Sequence, residues 1–367
     1  MKREQKMKDD IRAIKDFLRF SLSIDSELPD SIDELNWELL YKFAQEQAIV
    51  GVLFEGIKRL TASDPHPVSQ LLAKWMMVDN AIESQNIHMN ARVVEVVGLF
   101  RRNGFDCCLL KGQGNARMYP NPLSRTPGDI DLWVSGGHQK VVDFCRRLNP
   151  HTVISYHHAQ QPYKDVELEI HFHPNYAGNY FYNKRLQKYF DHCKAEEMGN
   201  TAYLPNGSMA VPVPTDSFNR IFQLSHIMKH FLYEGVGMRQ VIDYYYLLKR
   251  TVSDEQKESE AMLMKQLNLY KFATALMFVL HDFLGLEETY LTVPPSEKEG
   301  RILLDAILKG GNFGRADKNF SVKGKSRAGL YLTYVRRSMQ FALHYPAEVV
   351  WGRPFVPLWR RWEALFE

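Results

Sequence analysis

Two short stretches of the sequence place carboxylates at every second position. Asp129 and Asp131 flank one apolar residue, and Glu167, Glu169 and His171 repeat the same spacing in a second stretch. In a β-strand, side chains two residues apart share a face, so each stretch predicts a strand with one acidic face. If the two strands pair, their carboxylates converge into an oxygen-rich site suited to Mg²⁺ or Mn²⁺. The alternative is that both acidic faces simply meet water.

A glycine turn lies just upstream of the first acidic stretch. The apolar residues 105–110 predict a strand, Lys111 and Gly112 open the turn, and the residues that follow predict a short helix. Backbone N–H groups at the start of a helix bind phosphate, and a lysine adds positive charge. Arg125, four residues before Asp129, is placed to bring a bidentate guanidinium to the same phosphates. The alternatives are a plain connection for the turn and a surface salt bridge for Arg125.

The elements that must position these residues follow from hydrophobic periodicity. Helical spacing of apolar side chains occurs in four ranges, 8–60, 68–102, 138–148 and 216–290. A short strand is expected near residues 210–213, and the tyrosine-rich residues 175–205 are expected to be irregular. We therefore predict an α+β fold, in which a small mixed β-sheet core is flanked by N-terminal and C-terminal helical regions.

Four regions are predicted along the chain: an N-terminal helical region (1–90), an α/β core (91–215), a helical domain (216–300) and a basic, aromatic-rich C-terminal helical tail (301–367). The tail carries twelve Lys or Arg against five acidic residues, a net charge of +7 that leaves −4 for the rest of the chain. Basic surfaces with interleaved aromatic residues bind nucleic acid or anionic membranes. Basic tails are often merely solvated, which is the first expectation here, and an anionic partner that docks on the tail is the alternative.

The order of turn and acidic strands resembles the nucleotidyltransferases of the DNA polymerase β superfamily, and most closely a bacterial family labelled uncharacterised nucleotidyltransferase. The matching stretches are Leu109-Leu110-Lys111-Gly112 with Tyr119-Pro120, Arg125 with Gly128-Asp129-Ile130-Asp131-Leu132, and Glu169-Ile170-His171-Phe172. The core of the resemblance covers roughly residues 90–175. A looser match over residues 226–243 implies that Arg239 and Asp243 brace the helical region against the core. By spacing alone, these two would form an ion pair on the helix surface.

The resemblance implies a role for each residue of the site. Asp129 and Asp131 would bind the metals, and Glu169 would be a third metal-binding carboxylate that helps to activate the acceptor hydroxyl. Phosphate contacts would come from Lys111, Gly112 and Arg125. Two positions depart from the usual pattern: Gln113 follows Gly112 where Ser or Gly is usual, and Glu169 stands where Asp is usual, with Glu167 on the same face as a substitute.

The leading functional hypothesis is a metal-dependent nucleotidyltransferase that moves a nucleoside monophosphate from an NTP to a hydroxyl of an acceptor. Mg²⁺ or Mn²⁺ is the expected cofactor and ATP the expected nucleotide. The acceptor stays open among small molecules, sugars, proteins and RNA. The alternative from another class is a catalytically silent nucleotide-binding scaffold of the same fold.

Histidine pairs suggest a third hypothesis. His226 and His230 lie one helical turn apart and could bind a metal together with Asp243, which would make the protein a metal phosphohydrolase. His157 and His158 precede the second acidic strand and are expected either close to the substrate or in solvent.

Composition limits the remaining classes. The chain has 367 residues, 45% hydrophobic content and a net charge of +3, which fits a globular protein with substantial cores. The apolar residues 272–286 are interrupted by His281 and Asp282 and fall short of the ~18 residues that span a bilayer. The charged N-terminus lacks the apolar segment of a signal peptide, so we expect a cytoplasmic protein. The four cysteines form no CxxC pair, and neither a disulfide framework nor a zinc site is indicated.

Overall fold

A five-stranded mixed sheet lies between helical regions, as the sequence predicts. The computed structural model describes residues 2–317 and 325–363. The strands are β1 (Cys107–Leu109), β2 (Ile130–Val134), β3 (Val153–Ile154), β4 (His158–Tyr163), β5 (Val166–His171), β6 (Thr201–Tyr203) and β7 (Ala210–Pro212). The sheet order is β1-β2-β5-β4-β3, and β6 pairs with β7 in a separate hairpin. β2 and β5 run parallel, whereas the other neighbours in the large sheet are antiparallel.

Helices make up most of the remaining described residues. They are α1 (Lys2–Leu22), α2 (Trp37–Gln47), α3 (Val50–Lys58), α4 (Ser69–Arg102), α5 (Gln113–Ala116), α6 (His138–Leu148), α7 (Tyr180–Gly199), α8 (Asp216–Tyr233), α9 (Met238–Leu248), α10 (Asp254–Gln266), α11 (Tyr270–Phe278), α12 (Glu297–Gly310), α13 (Arg327–Met339), α14 (Pro346–Val349) and α15 (Val356–Glu363). None of the described helices is long and apolar enough to cross a bilayer.

Strand β2 is buried on both faces, and its apolar and acidic side chains alternate between the two. Ile130, Leu132 and Val134 of β2 share one core with residues of α4 and α6, such as Val97 and Phe144. The opposite face lies against the helices that follow the sheet: Trp133 stacks on Phe218 of α8 with ring centroids 5.6 Å apart. The acidic face therefore meets protein, and the alternative that its carboxylates simply face water is wrong for Asp131, which is buried.

Two elements, helix α7 and the short strand β6, lie in a range where no regular structure was expected. Residues 175–205 were expected to be irregular, but α7 (Tyr180–Gly199) occupies most of this range. Its buried positions are Asn183, Leu186, Phe190 and Glu197, so only two of the four are apolar. The buried positions of α7 follow a helical repeat, but the hydrophobic residues do not, because two of the four buried side chains are polar or charged. Asn179 begins the helix by accepting hydrogen bonds from the N–H groups of residues 181 and 182.

The basic C-terminal segment packs against the core. Glu348 accepts a hydrogen bond from the Gly178 N–H at 2.6 Å, and the Trp359 indole donates to the Gly178 carbonyl at 3.1 Å. Arg353 is buried, with its guanidinium 4.6 Å from the Tyr233 ring centroid. Lys318, Lys323 and Glu367 of the charge count lie outside the described residues. Glu348, Arg353 and Trp359 are therefore packed in the protein, whereas Trp351 and Leu358 of the same segment are exposed.

Candidate active site

The two acidic strands are neighbours in the sheet. Asp131 of β2 is the direct partner of Glu169 in the parallel ladder with β5. Asp131 is 2% exposed and lines a small cavity with Gln223 and His226 of α8. Glu169 is half-buried beside it. The structure thus brings together two of the three predicted carboxylates, although they are far apart in the sequence.

His171 holds these two carboxylates together. Its Nε2 lies 2.9 Å from Asp131 Oδ1 and 3.4 Å from Glu169 Oε2. Burial opposes a charge on this ring, but the hydrogen bonds to Asp131 and Glu169 raise the pKa of His171. The sequence placed His171 on the face of Glu169 without giving it a role, and this i+2 spacing was the available signal.

Lys111 supplies the charge opposite the carboxylates. Its Nζ lies 2.8 Å from Asp131 Oδ1 and 3.4 Å from His226 Nε2. Burial alone would lower the pKa of Lys111, but Asp131, Asp129 and Glu169 outweigh it and raise the pKa. Burial likewise would raise the pKa of Asp131, yet Lys111 and His171 hold it well below its usual range. Asp131 is therefore ionised at neutral pH.

Asp129 lies at the rim of the site, where its side chain is exposed. The charge of Asp131, followed by desolvation, raises the pKa of Asp129 to about 6. Asp129 and Arg239 line both the small cavity beside Asp131 and an adjoining cleft of about 730 Å³. The ligand atoms of Asp131, Glu169 and His171 lie within 4.8 Å of one another, and Asp129 is outside that group.

The turn at Gly112 has a backbone conformation that favours glycine and lies close to the backbone of Asp129. Gly112 has φ 58° and ψ −113°, a conformation that favours glycine. A Cβ at this position would lie 3.3 Å from the Asp129 carbonyl oxygen. Gln113, the departure from the usual pattern, turns its amide away toward α4 and donates to Asn86 Oδ1 at 3.1 Å and Asn90 Oδ1 at 2.7 Å. Its larger side chain is thus accommodated between the turn and α4.

Arg125 is engaged with a different partner from the one expected. Its guanidinium donates two hydrogen bonds to the Asp243 carboxylate, at 2.7 and 2.8 Å, and both side chains are buried. The Tyr119 hydroxyl donates to the same carboxylate at 2.7 Å. The structure therefore shows no surface salt bridge at Arg125, and its contact with nucleotide phosphates stays a prediction. The bracing role of Asp243 is confirmed, because its contacts join α9 to the core.

Arg239 is a site residue that sequence reasoning placed elsewhere. The expected surface pair with Asp243 is wrong, because the Arg239 guanidinium donates to the carbonyls of Thr126 and Pro127 at 3.2 and 3.3 Å. Its Nε is buried without a hydrogen-bond partner among the described residues. Since Arg239 faces the cavity that holds Lys111 and Asp131, it adds a cation to the predicted phosphate-binding wall.

The histidine pairs have separate surroundings. His226 and His230 share a helix face, with their Nε2 atoms 2.9 Å apart, and His230 pairs with Glu234. Asp243 contacts Arg125 instead of joining them. Within residues 2–317 and 325–363, no group of three metal-ligand side chains includes either histidine. The described residues thus give no support to a phosphohydrolase centred on His226 and His230.

The carboxylate set suits a divalent cation. Asp131 and Glu169 offer oxygen atoms on adjacent strands, and Asp129 extends the set at the rim. The raised pKa of Asp129 reflects repulsion from Asp131, which a bound cation would relieve. Mg²⁺ and Mn²⁺ prefer oxygen ligands, and Mg²⁺ usually keeps several of its bound waters. The residues therefore fit the metal that the sequence resemblance implies.

Comparison with known protein families gives a match over most of the chain. The family described as "Uncharacterised nucleotidyltransferase" matches residues 33–285, which is more than half of the chain and contains every residue of the site described above. Neither the curated proteins nor the solved structures contain a significant match.

Proposed function

The chain belongs to the uncharacterised nucleotidyltransferase family, and from this premise we propose that it transfers a nucleoside monophosphate from an NTP to an acceptor hydroxyl in a metal-dependent reaction. We further propose that it is a member of the DNA polymerase β-like superfamily, with ATP as its nucleotide. One observation carries the proposal: Asp131 of β2 is paired with Glu169 of β5, and His171 contacts both carboxylates.

The carboxylates would hold the metal and receive the acceptor. In this proposal Asp129, Asp131 and Glu169 bind Mg²⁺ or Mn²⁺. When bound, such cations stabilise the charge on the attacking and leaving oxygens of an in-line phosphoryl displacement. Burial opposes the ionised form of Glu169, but the hydrogen bond from His171 lowers its pKa, so Glu169 stays ionised and can accept a hydrogen bond from the acceptor hydroxyl.

The cationic side chains would position the triphosphate. Lys111 and Arg239 face the cavity beside Asp131 and carry charge that phosphate oxygens can share. Binding of a triphosphate next to Lys111 would compete with its 2.8 Å contact to Asp131 and free that carboxylate for the metal. Lys111 thereby links nucleotide binding to metal binding.

The cavities suggest how substrates enter. The cavity beside Asp131 has a volume of about 50 Å³, below the ~300 Å³ at which small-molecule sites begin. The adjoining cleft of about 730 Å³ is large enough for a nucleotide or an acceptor, and Asp129, Arg239 and Phe313 form the wall that the two share. We propose that substrates enter by this cleft and that the wall moves when the triphosphate binds.

One observation favours the catalytically silent alternative. In this structure Lys111 is bound to Asp131, Arg125 is bound to Asp243, and the inner cavity is small. A scaffold that has lost the reaction could keep such a closed site. The two functions differ in whether the α-phosphate of an NTP reaches an acceptor.

Transfer of label from NTPs radiolabelled at the α-phosphate separates them. The protein is incubated with Mg²⁺ or Mn²⁺, each labelled NTP, and the small-molecule, RNA and protein fractions of a cell extract. Label that enters one fraction with the wild type, is lost with Asp131→Asn, and is kept with the exposed Asp305→Asn supports the transferase. Folded wild type that binds NTP and labels no fraction supports the scaffold.

A further inference from the structure

Three histidines form a compact group beside the carboxylates. His157 Nε2 lies 3.1 Å from His158 Nδ1, and the ring centroids of His158 and His171 are 5.4 Å apart. One nitrogen from each of the three imidazoles lies within 4.8 Å of the other two. The nitrogens of a tetrahedral zinc site, each ~2.0–2.1 Å from the metal, have similar separations.

The sheet holds this group in place. His158 and His171 are direct partners in the antiparallel ladder between β4 and β5, so their side chains share a face. The carbonyl of His157 accepts hydrogen bonds from the N–H groups of Phe172 at 2.9 Å and His173 at 3.3 Å. All three histidines are therefore fixed by backbone hydrogen bonds, which is the support that a pre-formed metal site needs.

The rings have free coordinating atoms. Nδ1 of His157 and Nδ1 of His171 are buried without a hydrogen-bond partner among the described residues. Two ring nitrogens of the group are thus left unsatisfied inside the protein, and a bound ion is one way to complete such buried polar atoms.

Two charged side chains adjoin the group. Glu169 Oε2 lies 3.6 Å from His158 Nδ1 and can supply a fourth, carboxylate ligand. Lys229 Nζ lies 3.4 Å from His157 Nε2, with the Tyr176 ring centroid 4.8 Å away. A metal that binds through Nε2 of His157 competes with this ammonium group for the lone pair, so Lys229 would have to move away from Nε2 when the metal binds.

We propose that His157, His158 and His171 form a binding site for a divalent d-block cation of the zinc type, distinct in ligand chemistry from the carboxylate site. Imidazole-rich ligand sets select zinc and related ions, whereas carboxylate oxygens select Mg²⁺ and Mn²⁺. The two sites adjoin and share His171 and Glu169. This site goes beyond the proposed transfer reaction and requires no nucleotide.

The test is a titration of the full-length, chelator-treated protein with Zn²⁺ against a chromogenic chelator, and with Co²⁺ followed by its visible absorption. The titrations are run with and without excess Mg²⁺, because the two sites share Glu169, and no nucleotide is added. We expect one equivalent of tightly bound Zn²⁺ and the intense absorption of four-coordinate Co²⁺. The double variant His157→Ala/His158→Ala should lose about 100-fold or more in affinity.

The chain offers a control in His66→Ala/His192→Ala, which removes two exposed histidines outside this group and should leave the affinity within a few-fold of wild type. Lys229→Met should bind Zn²⁺ more tightly, because it removes the competing ammonium group, and it tests the site even if the double variant does not fold. Absence of Zn²⁺ binding by the wild type, or equal binding by wild type and both His157/His158 and Lys229 variants, would overturn the proposal. None of these results depends on nucleotidyl transfer, so failure here is distinct from failure of the proposed function.

Discussion

Arg125 and Asp243 form a buried, bidentate ion pair with donor–acceptor distances of 2.7 and 2.8 Å. The pair joins helix α9 to the segment that precedes β2. The Tyr119 hydroxyl and the Asn115 amide donate to the same carboxylate. The segment that leads to Asp129 and Asp131 is thereby fixed to the helical region. The pair makes the position of the carboxylates depend on a contact between elements distant in the sequence.

Asp243→Asn should strongly destabilise the protein, because it leaves the buried Arg125 guanidinium without a countercharge. Loss of one partner of a buried pair costs about 3–5 kcal/mol. The measurement is the free energy of unfolding in denaturant. As a control, Glu297→Gln removes one partner of the exposed pair with Arg301, at 65% and 70% exposure, and should change the stability by at most about 1 kcal/mol. Equal stabilities of the two variants would contradict the bracing role.

Gly112→Ala should weaken nucleotide binding as well as stability. An alanine at this positive φ has a strained backbone, at a cost of roughly 1–3 kcal/mol. Its Cβ would also lie only 3.3 Å from the Asp129 carbonyl oxygen. Gly104→Ala is the control, because Gly104 also has positive φ but nothing lies within 4 Å of its added Cβ. We expect both variants to be less stable and only Gly112→Ala to lose NTP affinity in calorimetry. Unchanged NTP affinity in Gly112→Ala would argue against the turn as part of the site.

Metal affinity should fall as the pH is lowered through about 6, because protons then compete for Asp129, whose pKa is raised to about 6. The stability of the metal-free protein should depend on pH in the opposite direction. Because the pKa of Asp129 is raised on folding, protonation favours the folded state. This contribution is full below the ordinary value of 3.8 and is lost as the pH rises through about 6. Asp129→Asn should therefore gain stability relative to wild type above pH 6.

NMR of the Asp129 carboxyl carbon, together with Mn²⁺ titrations across the same pH range, checks this prediction. Asp131→Asn removes the repelling charge and should move the Asp129 midpoint downward. A wild-type midpoint at the ordinary aspartate value would show that the two carboxylates do not interact as described.

Trp359→Ala should lower the free energy of unfolding by about 3–5 kcal/mol, because Trp359 is 7% exposed and its indole donates to the Gly178 carbonyl. Trp351→Ala, at a tryptophan that is 67% exposed, should change it by less than about 0.5 kcal/mol. Chemical denaturation of both variants makes the comparison. Equal, small effects would mean that the C-terminal segment is not packed on the core.

The parts of the fold that the sequence predicted are those with a local signal. The i, i+2 alternation predicted both acidic strands, and the spacing of Val141, Phe144 and Cys145 predicted α6. Helix α7 was missed because its buried face includes Asn183 and Glu197, so hydrophobicity does not follow burial. Local pattern is informative only where the buried face is also the apolar face.

The contacts that complete the site carried no such signal. The contacts of Arg125 with Asp243 and of Lys111 with His226 join residues that are more than 100 positions apart and form only in the folded chain. The spacing of Arg239 and Asp243 predicted a surface ion pair that does not form. Asp129 and Asp131 are neighbours in sequence, yet only Asp131 is buried. These differences depend on how α8 and α9 pack on the sheet, which periodicity does not report.

The most direct test of the account is calorimetric titration of ATP, GTP, CTP and UTP in the presence of Mg²⁺ or Mn²⁺, with the wild type and with Asp129→Asn/Asp131→Asn, each shown to be folded by circular dichroism. We expect the wild type to bind NTP in the presence of metal, to lose that binding without metal, and the double variant to bind no NTP. Equal binding by the double variant, or no binding by folded wild type, would contradict the assignment of a metal–nucleotide site to these carboxylates.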